Sequence, residues 1–165
     1  MLGKWGNFVN RTLAFIKKSF DGKLEQAQID EDVENKLKEL FEIVGKDIED
    51  GKIKEGIQSI FDFIGYANKY FDEKQPWILA KENIEICNEV LFNCCNIIYN
   101  VNTLLKPYLP FSCENVEIFI NNINNNWEYN RLKELSICDN LSTLFERYDK
   151  KIIDEEVAKL IELRK

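Results

Sequence analysis

Residues 30–72 read DEDVENKLKELFEIVGKDIEDGKIKEGIQSIFDFIGYANKYFD, and the period of this stretch decides the fold class. At about 100° per residue, Val33, Leu37, Leu40, Phe41, Val44 and Ile48 share one face, so the spacing predicts a helix over 30–49. Asp50-Gly51 interrupts the pattern with a turn too short to do more than reverse the chain. The pattern resumes with Ile57, Ile60, Phe61, Ile64 and Phe71, which predicts a second helix over 53–72. Two helices joined so tightly lie antiparallel with their apolar stripes facing the same core. The expected fold is therefore all-α, an antiparallel helical bundle.

The flanking sequence extends the bundle in both directions. Over residues 4–20, Trp5, Phe8, Val9, Thr12, Leu13, Phe15, Ile16 and Phe20 fall on one helical face, with Asn7, Arg11, Ala14 and Lys18 opposite. Asp21-Gly22 reads as the stop of that helix. Downstream, the polar stretch Glu73-Lys74-Gln75-Pro76-Trp77 predicts a loop, because proline biases the preceding residue away from helix. A long helix is expected over 81–105, closed by Lys106-Pro107, followed by a bend over 108–112. A short helix over 112–120 takes Ser112 as its N-cap. Five asparagines between 121 and 126 predict a polar connector outside the core. Residues 127–150 read as irregular or weakly helical, and 154–164 as a last amphipathic segment with Val157, Leu160 and Ile161. The organisation is a bundle over 1–120 and an Asn-rich connector with a C-terminal arm over 121–165, without internal repeats.

Composition bounds the chemistry. A chain of 165 residues, 45% of them apolar, suits one domain with one core. Eleven Phe, six Tyr and three Trp exclude disorder. With no histidine, a Ser-His-Asp or Cys-His mechanism is excluded within this chain, as is the commonest metal ligand. The five cysteines form no CxxC pair, and their odd number without a secretory signal points to reduced thiols in a cytoplasmic protein. Cys87, Leu91, Cys94, Cys95 and Ile98 repeat at helical spacing, so three of these thiols are read as small core residues and not as ligands. No apolar run approaches the ~18–20 residues of a membrane span. No residue set marks a catalytic or metal site.

Charge is divided unevenly. The formal charge of −7 argues, taken whole, against a surface that tracks phosphates. Yet residues 1–24 hold Lys4, Arg11, Lys17, Lys18 and Lys23 against Asp21, a local +4 that leaves −11 on the remainder. On charge alone the strip reads as an ordinary solvated helix face, and charge by itself decides no function.

Four blocks then carry a resemblance. Leu2-Gly3-Lys4-Trp5-Gly6-Asn7-Phe8-Val9-Asn10-Arg11-Thr12-Leu13, Ala67-Asn68-Lys69-Tyr70, Pro76-Trp77-Ile78-Leu79-Ala80-Lys81 and Leu104-Leu105-Lys106-Pro107-Tyr108-Leu109-Pro110 occur in order. Together they resemble the anticodon-binding domain of methionyl-tRNA synthetase, a class I aminoacyl-tRNA synthetase, over about residues 2–120. Leu144-Phe145-Glu146-Arg147 resembles the start of that family's C-terminal segment, with Glu146 where proline is common. The synthetases for isoleucine, valine and leucine share the helical fold, but Ala-Asn-x-Tyr followed by Pro-Trp-x-Leu-x-Lys is closer to the methionine enzyme. The resemblance implies an excised or freestanding anticodon-binding domain starting at Met1. The ATP and zinc sites of the family belong to a catalytic domain whose motifs are missing here. No cofactor is expected in this chain, and no aminoacylation by it alone.

By the same resemblance, Asn7, Arg11 and Trp77 read the CAU anticodon of tRNA(Met). The residue chemistry agrees. Asn7 and Arg11 are i, i+4 neighbours projecting from the polar side of one helix. Asn offers a donor and an acceptor, and Arg a charged planar fork, both suited to the edges of splayed bases. Trp77, in the expected polar loop after Pro76, presents an indole on which a base stacks. Lys4, Lys18 and Pro76 are candidate phosphate or loop contacts, whereas Trp5 and Trp127 are assigned to packing. The expected partners are the tRNA(Met) anticodon loop and the catalytic domain in cis, with no membrane and a monomeric domain. The alternative is a helical scaffold or protein-interaction module that has the fold without an RNA role.

Overall fold

The computed structural model describes residues 2–145 and 150–162. Seven helices and two very short strands follow in the order α1 (Leu2–Phe20), β1 (Lys23–Leu24), α2 (Glu31–Glu49), α3 (Ile53–Lys74), α4 (Pro76–Glu82), α5 (Ile84–Leu105), α6 (Pro110–Ile120), β2 (Leu135–Ser136) and α7 (Lys150–Glu162). The hairpin of α2 and α3 forms as its period predicts. Asp30 caps α2, its carboxylate accepting from the Asp32 and Val33 amides, and Gly51 turns the chain at φ +73°. Val33, Leu37 and Val44 of α2 are fully buried, as are Ile60 and Ile64 of α3. α1 lies beside α3 and runs in the same direction, so that Lys4 meets Asn68 and Arg11 meets Asp72.

Three boundaries differ from the sequence expectation. α3 continues to Lys74, and the expected loop contracts to Gln75, which is left-handed at φ 47° and ψ 58°. Pro76 then opens α4 at a position where its missing N–H costs nothing. The expected long helix is split at Asn83, which is extended and whose side chain caps α5 by accepting from the Ile86 amide at 3.1 Å. α6 begins at Pro110 with Leu109 as its N-cap residue, so Ser112 lies inside the helix and does not cap it.

α5 is the axle of the molecule, touching α1, α2, α3, α4, α6 and β1. Cys87, Cys94 and Cys95 are buried in it, as their spacing indicates, and burial pushes the Cys94 thiol up to about 12. Asn93, Asn96, Asn100 and Asn102 are buried in it as well, and Asn88 partly so, which periodicity does not foresee. Extended segments lying on a helix have peptide groups that no strand pairs, and a primary amide presents the same donor and acceptor as a peptide. Asn88 accepts from the Glu25 N–H at 3.0 Å and donates to the Glu25 carbonyl at 2.9 Å. Asn93 pairs likewise with the Asp30 N–H and the Gln28 carbonyl, at 2.8 and 3.0 Å. Asn100 pairs with both groups of Asn130 at 2.9 Å, and Asn96 accepts from the Leu132 N–H at 2.9 Å.

Residues 121–145 are thereby strapped to the bundle. Asn124, expected in a solvated connector, is buried, and Leu132, Leu135 and Leu144 join the core. β2 pairs antiparallel with β1, Leu24 opposite Leu135. The Lys17 ammonium donates to the carbonyls of Cys138 and Asp139. The segment then runs back along α1 to place the Phe145 ring over Gly6, where a Cβ would approach it to 2.8 Å. Of the C-terminal block in the resemblance, Glu146 and Arg147 lie outside the described residues. Trp5 is packed as expected, but Trp127 is 42% exposed, meeting Phe41 edge-on at 5.9 Å and lying over Gly45.

The strap makes a prediction. Asn100→Ala leaves the peptide groups of Asn130 without partners and is expected to lower stability by ~1–2 kcal/mol. Helical content should hardly change, while hydrogen exchange over 124–138 accelerates. Unchanged exchange in that segment would show that the amide pair does not hold it.

Candidate nucleic-acid interface

The residues singled out in α1 and after α3 converge on one patch. Asn7 is exposed on α1, its side-chain amide donating to the Asn68 side-chain oxygen Oδ1 of α3 at 3.5 Å. Asn68 is in turn fixed by donating to the carbonyls of Lys4 at 3.3 Å and Ile64 at 2.8 Å. Arg11, one turn further on, does not project freely. One terminal nitrogen meets an Asp72 carboxylate oxygen at 2.6 Å, and the other donates to the Asn68 carbonyl at 2.8 Å. The guanidinium carbon sits 4.2 Å from the centroid of the Phe71 ring. Its side chain is only 23% exposed, whereas Asp72 is 60% exposed.

Trp77 completes the patch from the first turn of α4, not from a loop. Its indole is 44% exposed, and its inner side meets Phe71 at 6.2 Å between centroids with the planes tilted by 40°. One aromatic ring thus separates a cationic fork from a half-open indole. Such a surface offers hydrogen-bond donors for a base edge beside a face for stacking.

A family model described as the anticodon-binding domain of methionyl tRNA ligase matches residues 20–162. The chain belongs to this family. The α3 and α4 side of the patch falls within the matched residues, and Asn7 and Arg11 precede them. The methionine–tRNA ligase of Bacillus cereus (strain Q1) is 44% identical over 160 residues, covering 97% of this chain and 29% of that protein. The corresponding ligase of Bacillus mycoides (strain KBAB4) has the same identity and coverage, again 44%, 97% and 29%. The chain spans under a third of the length of these curated relatives. The apo form of Mycobacterium tuberculosis methionyl-tRNA synthetase superposes with a TM-score of 0.80 at 22% identity, over 90% of this chain and 32% of that one. That likeness establishes the helical fold.

Within this anticodon-binding domain the remaining candidates separate. Lys4 and Lys18 are exposed on α1. Pro76, a candidate loop contact, is buried at the start of α4, and its carbonyl accepts from the Cys87 thiol at 3.4 Å. It shapes the α3–α4 corner and has no surface to offer RNA. The cationic strip is also smaller than its charge count implies, since Arg11 is paired with Asp72 and Lys17 holds the strap. Asn68, Phe71 and Asp72 were not singled out from sequence as site residues. Asn68 and Asp72 are an i, i+4 polar pair beside the apolar stripe of α3, a signal that also describes an ordinary solvated helix edge. Among the described residues, no Cys, Asp and Glu gather in a metal-binding arrangement, and no helix is long and apolar enough to cross a membrane.

Proposed function

We propose that the domain binds the anticodon loop of tRNA(Met) and reads CAU, with Asn7 and Arg11 on base edges and Trp77 stacking a base. The observation that carries this reading is the patch itself. Arg11, held on α1 by three contacts from α3, stands one Phe ring away from a half-exposed indole, in a domain of the anticodon-binding family. Lys4 and Lys18 flank it as phosphate contacts. In the parent protein, ATP-dependent ligation of methionine belongs to a catalytic domain in cis, together with that domain's zinc. The isolated domain acts as a monomeric, cytoplasmic tRNA-binding module and needs no cofactor. One observation favours the scaffold alternative: the Arg11–Asp72 pair gives Arg11 a structural partner without RNA.

The two readings part in a titration of a CAU stem-loop against a loop of scrambled anticodon, both at one stated salt concentration. The anticodon reading expects a clear preference for CAU, with weak absolute affinity because acceptor-stem contacts are absent. Equal binding of the two loops supports the scaffold.

A further inference from the structure

We infer that Phe71 is the positioning residue of this patch, keeping the Arg11 guanidinium and the Trp77 indole in one fixed relation while Arg11 exchanges Asp72 for a base. The inference rests on the anticodon reading above. Arg11 has three anchors, all on α3: the Asp72 carboxylate at 2.6 Å, the Asn68 carbonyl at 2.8 Å and the Phe71 ring at 4.2 Å. Its Nε is buried and has no partner among the described residues, so that edge faces the protein and is closed to a ligand. The edge available for reading is the one Asp72 now holds, and Asp72 is the exposed member of the pair.

When Asp72 lets go, a single hydrogen bond to Asn68 leaves the guanidinium free to swing about it. The ring removes that freedom. A cation lying on an aromatic face keeps its plane parallel to the ring and its N–H groups pointing outward in that plane, which is the geometry a base edge requires. The same ring backs the inner side of Trp77 at 6.2 Å. Phe71 itself is 4% exposed, so it acts through its two neighbours and not by touching RNA. Leucine or methionine at this position fills the space but offers no negative face to a cation.

The test compares the wild type with Phe71→Leu, Phe71→Tyr, Arg11→Gln and the double variant Phe71→Leu/Arg11→Gln, titrated with a CAU loop and a singly altered loop. Phe71→Leu is expected to reduce the preference for CAU about tenfold. Phe71→Tyr retains it, and Phe71→Leu adds little once Arg11 is already Gln. In RNA-free protein, the Trp77 emission, taken as wild type minus Trp77→Phe, moves to the red in Phe71→Leu. Phe71→Met serves the same purpose if the leucine variant does not fold. Retained preference, independent multiplication of the Phe71 and Arg11 effects, or unchanged Trp77 emission overturns the inference. Absence of any CAU preference in the wild type is instead the failure of the anticodon reading, and the emission comparison then decides on Phe71.

Discussion

Trp77→Ala is expected to weaken binding of a CAU stem-loop by ~1–3 kcal/mol, roughly five- to 150-fold, while helicity is retained. The argument rests on how little of the fold Trp77 supports. It lies in the first turn of a seven-residue helix, is 44% exposed, and touches the core mainly through Phe71. Removing it strips a stacking face from solvent-facing surface and leaves Pro76, Gln75 and the α3–α4 corner in place. The loss therefore falls on the complex and not on the free domain. Trp77→Phe keeps a smaller face and should recover part of the affinity. Isothermal titration and circular dichroism on the same samples check both halves. A melting transition that collapses in Trp77→Ala would make the residue a core element and remove it from the interface.

Arg11→Gln is expected to lose discrimination between CAU and altered anticodons by ~1.5–3 kcal/mol, the range of a hydrogen bond to a charged group. Stability of the free domain should fall by only ~1–2 kcal/mol, because the mostly solvated Asp72 adds little and the loss is that of the Asn68 hydrogen bond and the Phe71 contact. Asp72→Asn should move binding the other way. It releases the fork and removes a carboxylate that repels phosphates, so every loop binds more tightly while the preference for CAU is kept. The two variants together separate reading from attraction. If Arg11→Gln weakens all loops equally and lowers the salt slope by about one, Arg11 is a phosphate contact and the base-reading role is lost.

The legible and illegible parts of the molecule differ for identifiable reasons. α1, α2 and α3 each bury a single stripe, so Leu37, Ile60 or Val9 announces the inward face by spacing alone. α5 is enclosed on most sides, and the asparagines that interrupt its apolar run resemble solvent-facing residues until the segments they pair with are seen. The expected loop over 73–77 contracted because a left-handed Gln75 turns the chain in one residue, a conformation that an L-residue adopts only at some cost. In the patch, the spacing of Asn7 and Arg11 correctly placed them on one polar edge. It carried no information about Asp72, which is 61 residues from Arg11 along the chain.

Short-range chemistry was thus enough for α1, α2 and α3, the reversal at Asp50-Gly51, the buried thiols of α5, and the exclusion of histidine-dependent catalysis. Periodicity, turn chemistry and composition are properties of neighbouring residues, and they survive in the sequence as written. The straps of Asn93, Asn96 and Asn100, the burial of Asn124, and the closed state of Arg11 are pairings across 30 residues or more, or follow from them. Such pairings depend on which helix edges packing brings together, and so they appear only once α1, α3 and α5 are set side by side.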